Sequence, residues 1–350
     1  FTLRRDTTRQ FLVNCEGGRL YFFPILCYTN AGKTIKNAKG RIKFMKHSLK
    51  YTFMLALTAF IWGGAFVAQS VGNDVLGPFT FNSVRSLIGG AVLLPAIPLL
   101  RRLNHENEIE TPETGAPASS RSLWLGGICC GLLLGLASSF QQLGLLYASV
   151  GKAGFITAMY IVIVPLLGLF VHKSPGLRVW AAVAIAVGGL YLLCWNGGEA
   201  LGAGDGLLLV CSLLFSLHIL VIDHFSPLVD GVKLSCIQFF TAGIVCAVPA
   251  LLFESPTLSA VLNGWAPILY AGVLSCGVAY TLQVVAQRHV DPTIASLVLS
   301  LESVFSVLAG WVILQQSLSP RELTGCGLMF AAIILAQLPS KAPAGKPKAA

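Results

Sequence analysis

Charge is what this sequence has least of. Only 11% of its 350 residues are Asp, Glu, Lys or Arg, against roughly 25% in a soluble domain. Hydrophobic residues make up 55%, and the mean hydropathy is +0.74. That leaves too few polar side chains to coat a surface facing water, which excludes an ordinary soluble globule. Short alternating segments are missing as well, which excludes a closed membrane barrel. No C-x-x-C pair or Cys/His ligand spacing occurs, so neither a metal site nor a disulfide framework is expected. Eight of the ten cysteines lie inside apolar runs, where they read as small packing residues. An intact phosphate-binding loop is also absent. Gly32-Lys33-Thr34 resembles the end of one, but the first glycine of the pattern falls on Cys27. No cofactor is expected, and residue 1 opens no cleavable signal pattern.

What the chain does have is long apolar runs. Ten stand out, at 52–71, 78–100, 123–147, 153–172, 177–195, 205–223, 233–253, 264–286, 292–314 and 321–338. About 20 apolar residues cross a bilayer as a helix. The expected class is therefore an all-α polytopic membrane protein of about ten transmembrane helices. The stretch 149–193 has a counterpart at 292–337. Each has a small-residue entry, an apolar run, a Ser-Pro elbow (Ser174-Pro175, Ser319-Pro320) and a Gly/Ala-rich closing run. The short Gly-rich segment 196–204 divides the ten runs into five and five. The expected organisation is a basic tail at 1–50, five-helix repeats at 51–196 and 205–339, and a disordered tail at 340–350. Met45 is the expected functional start, with 1–44 an upstream extension or a poorly ordered tail.

Basic residues set the orientation. With the N-terminus inside, Arg101, Arg102, Arg121, Lys173, Arg178, Lys233, Arg288, Lys341, Lys346 and Lys348 fall inside, and only Lys152 and Arg321 outside. That is a strong positive-inside bias, so both termini are expected in the cytoplasm. The net charge of +9 follows from this asymmetry and from nearness to anionic lipid, and no nucleic-acid partner is expected. Five crossings per repeat insert the second copy upside down. Inverted repeats suit two half-bundles rocking about a site near the midplane.

The segment 142–170, QLGLLYASVGKAGFITAMYIVIVPLLGLF, resembles the EamA-type permeases of the drug/metabolite transporter superfamily. So do Trp62-Gly63-Gly64-Ala65-Phe66, Arg85 in the second run, and Leu301-Glu302-Ser303-Val304-Phe305. The resemblance spans about 52–338. It implies ten helices in two inverted repeats and movement of small metabolites across the cell membrane. Ser303 stands where that family often has Pro, and Gln315-Gln316 where a Gly-Glu pair is common. The expected activity is secondary transport by alternating access of a small metabolite, amino-acid-like compound or drug, with proton coupling left open. The competing reading is an integral membrane enzyme acting on a lipid or polyprenyl carrier. It would need an acid/base cluster on a loop, and the loops show none. Expected partners are a small-molecule substrate and membrane lipids, with a homodimer left open. The expected address is the inner or plasma membrane of a bacterium.

Nine side chains are candidates for a substrate cavity. Glu302 sits about ten residues into its run, roughly 15 Å deep at helical rise. A carboxylate there is costly unless paired or wet. It reads as a proton or cation site, against the plainer role of a neutral hydrogen-bonded acid. Arg85 reads either as a partner for a carboxylate or as a snorkelling cation. His218 is deep enough to line a cavity, though a lone satisfied histidine is as good an account. Trp62 and Tyr160 lie mid-run, where an interfacial belt does not explain them. Gln141, Gln142 and Gln283 carry amides that must point away from lipid, and Tyr280 joins them. Pro95, Pro165 and Pro249 are candidate kinks or hinges. Gly127, Gly131 and Gly135, spaced by four in the third run, predict close approach of a neighbouring helix. The repeat register sets Glu302 opposite Val164-Pro165.

Overall fold

The computed structural model describes residues 25–106, 120–148, 150–170, 175–194, 202–313 and 319–338. The tail before residue 25, Trp195, Gln315, Gln316, the Glu-rich connection at 107–119 and everything past Leu338 lie outside the described residues. The chain divides into two units, Phe1–His47 and Ser48–Ala350. In the first, the backbone is helical from Ile25, inside a segment whose sequence shows no sustained helical period. The second unit holds the bundle.

Among the described residues every element is helical. The first five crossings are α1 (Ile25–Asn73, apolar from Leu49), α2 (Pro78–Glu106), α3 (Ser120–Gly144), the pair α4 (Val150–Thr157) and α5 (Tyr160–Phe170), and α6 (Leu177–Cys194). The second five are α7 (Ala203–Phe225), α8 (Gly231–Phe253), a composite, the pair α12 (Pro292–Leu299) and α13 (Leu301–Ile313), and α14 (Pro320–Gln337). The composite runs through α10 (Trp265–Leu269), a π-helical stretch Tyr270–Tyr280 and α11 (Thr281–Gln287). A short helix α9 (Leu258–Asn263) precedes it. Eight of these crossings are long and apolar enough to span a membrane. The other two, α6 and α14, have 18 residues each and pack on one another.

Local chemistry explains the starts. Asp230 accepts hydrogen bonds from Val232 N and Lys233 N to begin α8. Asp291 does the same for Thr293 N before Pro292 of α12. At the second Ser-Pro elbow, Ser319 and Glu322 form a reciprocal capping box around Pro320. Glu254, at the end of α8, crosses to the start of α2, where its carboxylate accepts from Phe79 N at 2.9 Å and Thr80 N at 2.8 Å. It satisfies orphan amides of another helix and meets the positive end of its dipole. Glu254→Ala should lower stability by about 1–2 kcal/mol, read as an earlier unfolding transition of the detergent-solubilised protein.

The two repeats interlock. α2 packs on α8 and on the π-helical stretch, while α3 packs on α7 and α8. Lipid is as apolar as leucine, so these helices gain little by hiding apolar surface and associate through close contact. The glycine ridge of α3 supplies it. A Cβ on Gly127 would sit 2.5 Å from Ile237, and one on Gly135 would sit 3.0 Å from Val245. On Gly131 it would lie 2.6 Å from the Gln238 carbonyl oxygen, a backbone atom that cannot swing aside. Gly131→Leu should therefore cost about 1–3 kcal/mol by overpacking, visible as early thermal aggregation against a wild-type control. Outward positions such as Phe53, Trp124, Leu251 and Phe330 are exposed, as a lipid-facing surface requires.

Pro95, Pro165 and Pro249 each lie inside a continuous helical run. The interruptions fall at Ala158-Met159, between α4 and α5, and at Ser300, between α12 and α13. These are the fourth crossing of each repeat.

Candidate functional site

Both interruptions open onto one cavity. Tyr160 is the first residue of α5 and Glu302 the second of α13. The Tyr160 hydroxyl donates to Glu302 Oε1 at 2.8 Å, and both side chains are buried. The register of the repeats put Val164-Pro165 opposite Glu302; the structure puts Tyr160 there. Side-chain hydroxyls fasten the breaks. Ser300 Oγ donates to Leu297 O at 2.7 Å, and Ser303 Oγ reaches across to Gly154 O at 3.2 Å. Ser303, standing where the resembled family often has proline, thus ties the second break to the first.

The space around this pair measures about 490 Å³, its open part included. Eight of the nine sequence candidates line it, drawn from both repeats: Trp62, Arg85, Gln141 and Tyr160 from the first, His218, Tyr280, Gln283 and Glu302 from the second. Gln142 is not among them. Its amide nitrogen donates to Asn73 Oδ1 at 2.7 Å and to Gln69 O at 3.0 Å, which ties α3 to the end of α1. Tyr147, an aromatic near the end of the third run, is 69% exposed and is not among the lining residues.

The walls combine aromatic faces with unspent polar atoms. The Trp62 and Tyr280 rings are 4.5 Å apart, and the His218 ring meets the Tyr280 edge at 6.1 Å. His218 Nε2 pairs with Gln238 Oε1 at 3.2 Å, so α8 holds that ring in place. Arg85 is 5% exposed, with its guanidinium 5.6 Å from the Phe81 ring centre. Its Nε has no hydrogen-bond partner, and neither do Trp62 Nε1, Gln69 Oε1 or Gln283 Oε1. Buried polar atoms are normally satisfied, so a cavity with donors and acceptors left over is suited to a polar ligand. Concave, mostly apolar walls with a few convergent polar groups are the usual form of a small-molecule site.

Sequence reasoning did not single out Phe66, Phe215, Ser275 or Leu299, which also line the cavity. Each sits in an apolar run and carries no signal that sets it apart. Gln69 lines it as well, and an amide inside an apolar run is the signal that marks it. Among the described residues no group of three or more His, Cys, Asp or Glu side chains is placed to hold a metal ion.

One buried ion pair lies at the ends of the helices. Lys152 Nζ, in the first turn of α4, is 3.0 Å from Asp205 Oδ2, in the first turn of α7. Asp205 also accepts from Gly202 N at 2.8 Å. Elsewhere Tyr51 of α1 stacks on His289, just before α12, at 4.0 Å.

Known proteins agree with this architecture. A solved crystal structure superposes with a TM-score of 0.65 over 82% of this chain and 96% of its own, at 17% identity, a likeness of fold. An uncharacterized transporter of Archaeoglobus fulgidus is 30% identical over 81% of this chain and 84% of its own length. The uncharacterized inner membrane transporter YedA of Escherichia coli is 24% identical over 79% and 87%. YwfM of Bacillus subtilis, an uncharacterized transporter, is 23% identical over 81% and 93%. Residues 49–195 and 202–338 each match the EamA-like transporter family. Two consecutive matches, one for each interlocked half of the bundle, leave one assignment: this chain belongs to the EamA-like transporter family.

Proposed function

We propose that this membrane transporter is a secondary active carrier that moves a small metabolite, amino-acid-like compound or drug by alternating access, with Glu302 as its proton-binding group. The observation that carries the proposal is the Tyr160–Glu302 hydrogen bond. It joins the broken fourth crossing of one repeat to that of the other at the wall of the cavity. Any rearrangement that parts the two broken crossings must act on this bond. A proton on Glu302 changes what the carboxyl can donate and accept there, so protonation and rearrangement are linked through one contact. Irregular backbone at membrane depth is tolerated where it lines such a cavity.

The repeats at 51–196 and 205–339 each contribute one of the two broken crossings. The positive-inside asymmetry supports both termini in the cytoplasm, and the likeness to the inner membrane transporter YedA supports a bacterial cell-membrane address. A homodimer is compatible with this arrangement and is not required by it.

Reconstitution into liposomes tests the proposal. A panel of small metabolites loaded inside should drive saturable counterflow of the same labelled compound. Product formed from the liposome lipid, with no counterflow for any compound, would replace the carrier with a lipid-directed enzyme.

A further inference from the structure

We infer that the cavity takes a small monoanion with an apolar body, its carboxylate-type group held by Arg85, and that this anion shares the cavity with a proton on Glu302. The carrier reading gives the inference its biological meaning, but the binding claim stands on the charges alone.

Arg85 is buried, and a guanidinium offers donors and a positive charge but no acceptor. Among the described residues it makes no ion pair, and its Nε has no acceptor. The guanidinium stands over the Phe81 face, and guanidinium N–H edges match a carboxylate. A buried cation without a counter-charge is costly. Among the described residues that line the cavity, Glu302 is the only acid. When Glu302 is ionised, one positive and one negative charge balance with the cavity empty of anion. When Glu302 is protonated, one monoanion restores the balance. With Glu302 protonated, a neutral occupant leaves Arg85 uncompensated, and a dianion leaves one negative charge over. Charge bookkeeping therefore selects a single negative charge and links its binding to the proton. The Trp62, Phe66, Phe215 and Tyr280 rings along the wall suit an apolar body.

Other titratable groups face Glu302. Tyr160 bonds to it, Cys211 and Tyr280 lie within reach of its charge, and His218 stands on α7. Only His218 could add positive charge on acidification, so the test must separate it from Glu302.

The purified full-length protein in detergent is titrated with benzenesulfonate (a permanent monoanion), benzene-1,3-disulfonate, benzamide and benzylamine, and binding is followed calorimetrically. Benzenesulfonate should bind at least about tenfold more tightly than the other three, and at least about tenfold more tightly near about pH 5.5 than near about pH 8.5, the effect of one unit charge across a small cavity. Glu302→Gln should hold the tight value at both pH values, and His218→Gln should keep the pH dependence. Arg85→Gln should lose the monoanion, while Arg85→Lys keeps part of the affinity. Preference for the neutral, cationic or doubly charged probe overturns the inference, as does no binding of benzenesulfonate at millimolar concentration. Monoanion binding that survives Arg85→Gln overturns it too. If Arg85→Gln does not fold, the charge series on the wild type and Arg85→Lys decide. Monoanion binding without counterflow of any compound would sink the carrier reading and leave this one standing.

Discussion

Glu302→Gln should leave a folded carrier whose transport no longer responds to a pH gradient. Glutamine keeps an oxygen able to accept the Tyr160 hydrogen bond, so the 2.8 Å contact between the repeats and the packing around it survive. What is lost is the exchangeable proton. Gradient-driven accumulation should fall to the level of empty liposomes, while counterflow at equal pH on both sides persists. The paired measurement separates coupling from binding. Gradient-driven accumulation that stays at wild-type level would remove Glu302 from the coupling step and leave it a structural hydrogen-bond partner. Tyr160→Phe is the matching control. It keeps the exchangeable carboxyl and deletes the contact, so it should retain a pH response but at altered turnover.

A second large effect is expected from Lys152→Met. The Lys152 and Asp205 side chains are 6% and 5% exposed, 3.0 Å apart. Removing one partner of a buried pair strands the other charge, at a cost of about 3–5 kcal/mol. The Gly202 amide still serves Asp205, which favours the lower end of that range. The double variant Lys152→Met/Asp205→Asn should recover much of the loss, because no net charge is then left buried. Thermal unfolding of the two singles and the double in the same detergent completes the cycle. Equal destabilisation by the single and double variants would show that packing, and not the ion pair, holds α4 to α7.

The crossings were legible in the sequence because lipid demands long apolar runs, and few other folds contain them. The cavity was legible for a related reason. Polar and mid-run aromatic side chains have nowhere to go in a bilayer except inward. Gln142 shows the limit of that argument. It follows Gln141 directly, and adjacent residues on a helix point about 100° apart, so one amide can face the cavity while the next meets Asn73. Both obey the inward rule. The helix breaks were hidden for a different cause. Proline is a visible marker, yet Pro95, Pro165 and Pro249 sit within unbroken helices. The breaks at Ala158-Met159 and Ser300 are tied to each other by Tyr160–Glu302 and Ser303–Gly154, pairs 142 and 149 positions apart. Tertiary hydrogen bonds leave no periodic trace, and for that reason the repeat register pointed to Val164-Pro165 and missed Tyr160.

The interlocking of the repeats bears on how the protein is made. Helix α3 finds its close partner in α8, and the cavity wall around Arg85 is completed by residues beyond 214. At about 5–20 residues per second, a ribosome needs about 7–27 s to add the 137 residues of the second match, 202–338. For that interval the first half waits in the bilayer with a bare glycine ridge and an unburied arginine. The nascent chain is thus exposed to premature pairing and to quality-control proteolysis until its own second half arrives.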